Sequence, residues 1–102
     1  MSLLLETLEA IEDNNLGKTQ LEDYHKTLSS LYGDLKIEIA GLKKLESIHY
    51  LKTKTPEKSA ITVKHEWRVS PEGDRLLLLL GYLGAVSKAL DSLKGRIYSK
   101  IM

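Results

Sequence analysis

The chain has 102 residues, no cysteine and a net charge of +1, which limits it to one domain at most and excludes disulfides and thiolate metal sites. A chain this short keeps a large share of its surface in water, so helices that spread its core along a rod gain by self-association. The near-zero charge conceals an asymmetry: residues 1–35 carry two basic and seven acidic side chains, residues 36–68 eight and four, and residues 69–102 five and three.

In residues 1–14, Leu4, Leu8 and Ile11 fall on one face, with Glu6, Glu9, Glu12 and Asp13 elsewhere. This is the pattern of a short amphipathic helix, ended by the turn-forming run Asn14-Asn15-Leu16-Gly17. Its acids stand where a secretory leader would be basic. Together with the lack of cysteine, this points to a cytoplasmic protein. A long helix follows at 19–53. Thr19 and Glu22 have capping-box spacing, and Leu21, Tyr24, Leu28, Leu31, Leu35, Leu42 and Leu45 continue in steps of three and four, with a polar slot at Glu38. Continuing the register reaches His49 and Lys52, where the apolar seam fades. Gly33 and Gly41 either weaken this helix locally or permit close packing.

Lys54-Thr55-Pro56-Glu57 is a break, because proline disfavours a helical residue before it. Residues 54–69 read as a linker with an extended segment at 59–69. There Ile61, Val63, His65, Trp67 and Val69 alternate with polar residues, the period of a strand. No second strand is visible, so the alternatives are pairing with another subunit, an extended arm or a short helix.

The last helix, at 70–101, begins with Ser70 as N-cap and Pro71 at the first helical position. Leu76, Leu79, Leu83, Val86, Leu90, Leu93 and Ile97 form an unbroken heptad series, the expected oligomerisation face. A second stripe (Leu78, Tyr82, Ala85, Ala89) widens it beyond a two-stranded seam, so this helix needs more than one neighbour. The run from Leu76 to Val86 is shorter than the roughly 20 apolar residues of a membrane span and reads as a buried face, with no membrane partner. The fold class is therefore mainly α, a long-helix hairpin or bundle that is oligomeric.

Little in the chain speaks for catalysis. His25, His49 and His65 lack the spacing of a helical metal pair, the glycines form no phosphate-cradling fingerprint, and no nucleophile–base pair stands out. The expectation is a non-enzyme without metal or cofactor. The strongest functional signal is the basic middle, where Lys36, Lys43, Lys44, Lys52, Lys54, Lys58, Lys64 and Arg68 surround Tyr50, His65 and Trp67. Cations interleaved with flat rings suit single-stranded nucleic acid, since lysines neutralise phosphates and rings stack on bases. The plainer reading is a solvated helix face with Trp67 in the core.

Leu35-Lys36-Ile37-Glu38 followed by Lys43-Lys44, and above all Ala89-Leu90-Asp91-Ser92-Leu93-Lys94-Gly95-Arg96, resemble the recombination mediator proteins of tailed phages (the UvsY type). The resemblance covers about half the chain; the acidic first helix, the Ile61–Val69 segment and the Pro71 cap depart from it. It implies a small cytoplasmic helical protein that forms rings, binds single-stranded DNA and helps load a RecA-like recombinase. Lys36, Lys43 and Lys44 would then lie on the DNA-contacting helix, and the C-terminal helix would hold the oligomer together. The competing expectation is a phage-type helical protein–protein module: an inhibitor, scaffold or assembly factor. A binder of small ligands at subunit interfaces is a third.

Overall fold

A computed structural model describes residues 2–101. All regular structure among these residues is helical: α1 Ser2–Ala10, α2 Lys18–Thr53, α3 Ala60–Arg68 and α4 Pro71–Ile101. The chain divides into two compact units. One comprises the described residues up to Asp34 and those from Leu83 onward, and the other comprises Leu35–Tyr82.

In the first unit, the α1 residues Leu4 and Thr7, and Ile11 just beyond the helix, are buried. So are Leu16, Leu21 and Leu28 from the α1–α2 connection and α2, and Val86, Ala89 and Leu93 from α4. Helix α1 stops at Ala10 rather than 14, because its last turn tightens: Glu12 N–H donates to Glu9 O and Asp13 N–H to Ala10 O. The Arg96 guanidinium then takes up the exit of the chain, donating to the Ile11 carbonyl and, at 2.6 Å, to the Asp13 carbonyl. A cation at this point satisfies carbonyls that a helix end leaves without partners.

Helix α2 starts at Lys18, one residue before its expected position, and its cap differs in register. Gln20 Oε1 accepts from Gly17 N–H at 3.0 Å, while Glu22 pairs instead with Lys18 at 3.7 Å. Gly17 is thus the N-cap and Gln20 supplies the returning half of a capping box. This register places buried Leu16 and Leu21 at the two positions of a hydrophobic staple, which the Thr19–Glu22 register does not do.

In the second unit the core is Leu35, Ile39, Leu42, Val63, Trp67, Leu76 and Leu79. The heptad seam of α2 shifts at its polar slot. Ile39 is buried, Ile37 is exposed and Leu45 is 47% exposed, while Glu38 accepts from Arg75 Nε at 2.6 Å across to α4. Nothing lies within 4 Å of a Cβ built on Gly33 or Gly41, so neither glycine serves a close helix approach.

The extended segment expected at 59–69 is a helix. Ser59 holds an extended backbone and its Oγ accepts from Thr62 N–H, the N-cap arrangement that starts α3. Val63 and Trp67, four residues apart, form its buried face. Ile61 and Val69, 80% and 67% exposed, lie off that face, so the period-two pattern does not correspond to one buried side. The α3–α4 corner is closed by Ser70. Its N–H and Oγ both donate to the Trp67 carbonyl, at 3.0 and 2.5 Å, and its Oγ accepts from Gly73 N–H at 3.1 Å. Glu72 and Asp74 add negative charge to the first turn of α4, where the helix dipole favours it.

Helix α4 corrects the expectation of a buried apolar run. Leu76, Leu79 and Val86 are buried, but Leu77, Leu78 and Leu80 are 53%, 50% and 38% exposed. By length and composition α4 could cross a membrane: an 18-residue window has mean hydropathy 1.5, and 28% of that window is buried. The core helix of a soluble protein can match this length and composition, but is mostly buried.

Candidate nucleic-acid interface

The unit formed by Leu35–Tyr82 carries nine basic and six acidic side chains. Two pairs are internally neutralised: Arg75 with Glu38, and Lys58 with Glu66 at 3.0 Å. Both are partly exposed and worth about 0–1 kcal/mol each, so they set local geometry more than stability. The remaining cations are divided among different parts of the surface.

Lys43 on α2 and Lys64 and Arg68 on α3 line one cleft of about 550 Å³, whose apolar wall includes Leu76, Leu77 and Leu80 of α4. All three cations are exposed. Glu46 and Ser47 of α2 line the cleft beside Lys43, so it holds one acid with its three cations, while Lys64 and Arg68 sit one helical turn apart on α3. The cap at Ser59 therefore does more than start a helix: it sets the rotation of α3 that presents both residues to the cleft while Val63 and Trp67 turn inward.

The other sequence-selected cations are elsewhere. Lys36, Lys44 and Lys52 are exposed on α2 outside this cleft. Lys54 is exposed past the end of α2, its Nζ 5.6 Å from the centre of the Tyr50 ring. Trp67 lines the cleft but is only 8% exposed, so it is a core residue that offers an edge rather than an open stacking face. Of the heptad residues assigned to assembly, Leu76, Leu79, Val86 and Leu93 are buried within the chain, and Leu83, Leu90 and Ile97 are half-buried. The large outward apolar residues of α4 are Leu77, Leu78, Leu80, Tyr98 and Ile101 instead.

A second pocket adjoins the first. It has a volume of about 340 Å³ and is bounded by His49, Tyr50 and Leu51 of α2 and by Val63 of α3, sharing Glu46, Ser47, Lys64 and Trp67 with the basic cleft. The His49 and Trp67 rings stand 5.6 Å apart, tilted at 48°. His49 Nε2 and Trp67 Nε1 are both buried and have no hydrogen-bond partner among the described residues. Leaving a buried donor unpaired costs about 1–3 kcal/mol, and native structures rarely tolerate it without reason. The signal for this pocket was present in the sequence, since His49 falls on the continued α2 heptad at the point where the seam turns polar. Nothing in the spacing shows that it meets Trp67.

Among the described residues, no three histidine, aspartate or glutamate side chains gather as a metal site. No protein-family model matches the chain, and no curated protein or solved structure matches it.

Proposed function

We propose that the protein is a non-catalytic, self-associating accessory protein of the cytoplasm that binds single-stranded DNA through the basic cleft, in the manner of the phage recombination mediators its sequence resembles. One observation carries this reading: Lys43, Lys64 and Arg68 converge from two helices on a cleft whose wall is apolar. Phosphate contacts supply most sequence-independent affinity for nucleic acid, and an apolar wall beside them suits the faces and edges of unpaired bases. One such cleft is a weak site. Several clefts repeated around an assembly act on one strand together, and their combined affinity far exceeds that of one.

Exposed Leu78 on α4, outside the cleft, supplies apolar surface for assembly between subunits. The same surface also favours a second reading, a helical module whose partner is another protein, such as a recombinase. This reading needs no DNA.

The test is fluorescence anisotropy of a labelled single-stranded oligonucleotide across a salt series, with the protein's mass followed by light scattering. The proposal expects binding by a defined oligomer, with log affinity falling against log salt by about 0.7 per phosphate contacted. An oligomer that ignores the oligonucleotide at low salt would reject DNA binding and leave the protein-partner reading.

A further inference from the structure

Helix α1 buries Leu4 and Thr7 in its own unit, and the Arg96 guanidinium fastens the chain just past its end. What it leaves outward is acidic. Residues 1–17 hold Glu6, Glu9, Glu12 and Asp13 and neither lysine nor arginine. All four carboxylates are exposed, and none of them makes an ion pair among the described residues. Glu6 and Glu9, three residues apart on α1, are neighbours on the helix surface. Leu5, 52% exposed and four residues before Glu9, borders them on the same side. The outer face of α1 is therefore two free carboxylates beside an exposed leucine.

The basic cleft has the converse make-up. Lys64 and Arg68 are exposed, one turn apart on α3, and they too make no ion pair among the described residues. Lys43 brings the cations to three, against the single carboxylate of Glu46, and exposed Leu77 and Leu80 stand in the wall. Side chains three or four residues apart on a helix are spaced by about 5–6 Å in either case. The two carboxylates of α1 and the two cations of α3 therefore match in spacing as well as in sign, and each pair has leucine beside it.

We propose that the cleft receives the outer face of α1 from a second copy of the chain, Glu6 and Glu9 against Lys64 and Arg68 and Leu5 against Leu77 and Leu80. The contact joins unlike surfaces, so a molecule engaged through its α1 still offers its cleft to a further copy. Head-to-tail contacts of this kind close into rings or extend as filaments. This contact needs no DNA and is separate from the apolar one at Leu78. Exposed ion pairs are individually weak, so a strand with a charge on every nucleotide displaces α1 from the cleft and leaves Leu78 to hold the copies together.

The experiment is sedimentation of the full chain without nucleic acid, at about 0.01 M and about 1 M salt, where charges act over about 30 Å and about 3 Å. Self-association should be about tenfold or more stronger at the lower salt. Glu6→Gln with Glu9→Gln, helicity unchanged by circular dichroism, should lose most of that difference. Glu6→Lys with Glu9→Lys should abolish it, and adding Lys64→Glu and Arg68→Glu to the same chain should restore it, since the reversed pairs again attract. Adding Lys44→Glu and Lys52→Glu instead gives the same net charge and should restore nothing, because those lysines lie outside the cleft. Self-association in the parent that is unchanged or stronger at high salt would overturn the proposal. Equal rescue by the two sets would also overturn it, by showing that net charge and not the cleft governs association.

Discussion

Gly73, in the first turn of α4, lies against the carbonyl of Trp67 so closely that a Cβ at Gly73 would stand 1.9 Å from that oxygen and 2.7 Å from its carbon. The obstructing atoms are backbone, held by the Ser70 hydrogen bonds at the same corner, and cannot swing aside as a side-chain end would. The absence of a side chain at Gly73 is therefore what lets α4 start directly after α3, with Trp67 on the inside of the corner.

Gly73→Ala should consequently destabilise the protein even though alanine is the better helix former. Relieving the overlap requires the α3–α4 corner to open, at a cost of about 2–3 kcal/mol, within the range for overpacking. Gly84→Ala is the control, since nothing lies within 4 Å of its Cβ position, and it should gain about 0.5–1 kcal/mol from helix propensity. Urea unfolding followed by circular dichroism measures both. A neutral or stabilising Gly73→Ala would show that the corner is not tight.

Arg96 provides a second prediction, in the other unit. Its guanidinium serves two carbonyls, those of Ile11 and Asp13, from 85 and 83 residues away in sequence, so it ties the end of α1 to α4. Arg96→Ala should loosen α1 and cost about 1–2 kcal/mol, the value of a charge-assisted pair of hydrogen bonds at a partly exposed site. Lysine should recover only part, because it lacks the planar fork that reaches two acceptors. Hydrogen exchange of the amides of residues 4–13 is the direct measure: faster exchange confined to α1 is expected, whereas unchanged exchange there would mean the contacts are incidental.

Much of this fold can be read in the chain because its helix ends are written in side-chain chemistry. Ser70-Pro71 opens α4 where capping rules place it, and of the α2 heptads Leu21, Leu28, Leu35 and Leu42 are buried and Tyr24 and Leu31 half-buried, with one shift at Glu38. The segment at 59–69 was ambiguous for a physical reason. A period-two series such as Ile61, Val63, His65, Trp67 and Val69 contains i,i+4 pairs as well, so the same residues satisfy a strand and a helix. The Ser59 cap and the Val63–Trp67 pair decide for the helix, and only the position of the core shows which pair matters. The five consecutive leucines at 76–80 pose the same problem for the site: nothing in their identity separates buried Leu76 and Leu79 from exposed Leu77 and Leu80. Lysines could be selected as a group, but their division between the cleft and the rest of the surface depends on the rotation of α3.

That division makes the cations of the basic middle unequal. Replacing Lys43, Lys64 and Arg68 together with alanine should reduce the salt dependence of oligonucleotide binding by about two phosphate contacts, a change in slope of about 1.4. Replacing Lys44, Lys52 and Lys54 should change it by less than half as much, since those residues lie outside the cleft. Anisotropy titrations at several salt concentrations separate the two sets. Equal effects would mean that affinity follows total charge rather than the cleft.

The last prediction concerns assembly. Leu78 is half exposed and takes no part in the basic cleft, so it separates self-association from DNA binding in a way that Leu77 and Leu80 do not. Burying such a leucine between subunits contributes about 1.5–3 kcal/mol per copy, and a ring buries one for every subunit. Leu78→Gln keeps helix propensity nearly constant and places a polar group on that face. Its expected effect is a lower mass by light scattering at micromolar concentration, with helicity preserved and with weaker oligonucleotide binding only to the extent that fewer clefts act together. A full-sized oligomer in Leu78→Gln would place the subunit interface on another face, and a charged substitution at exposed Ile37 or Leu51 would then be the next variant to weigh by the same measurement.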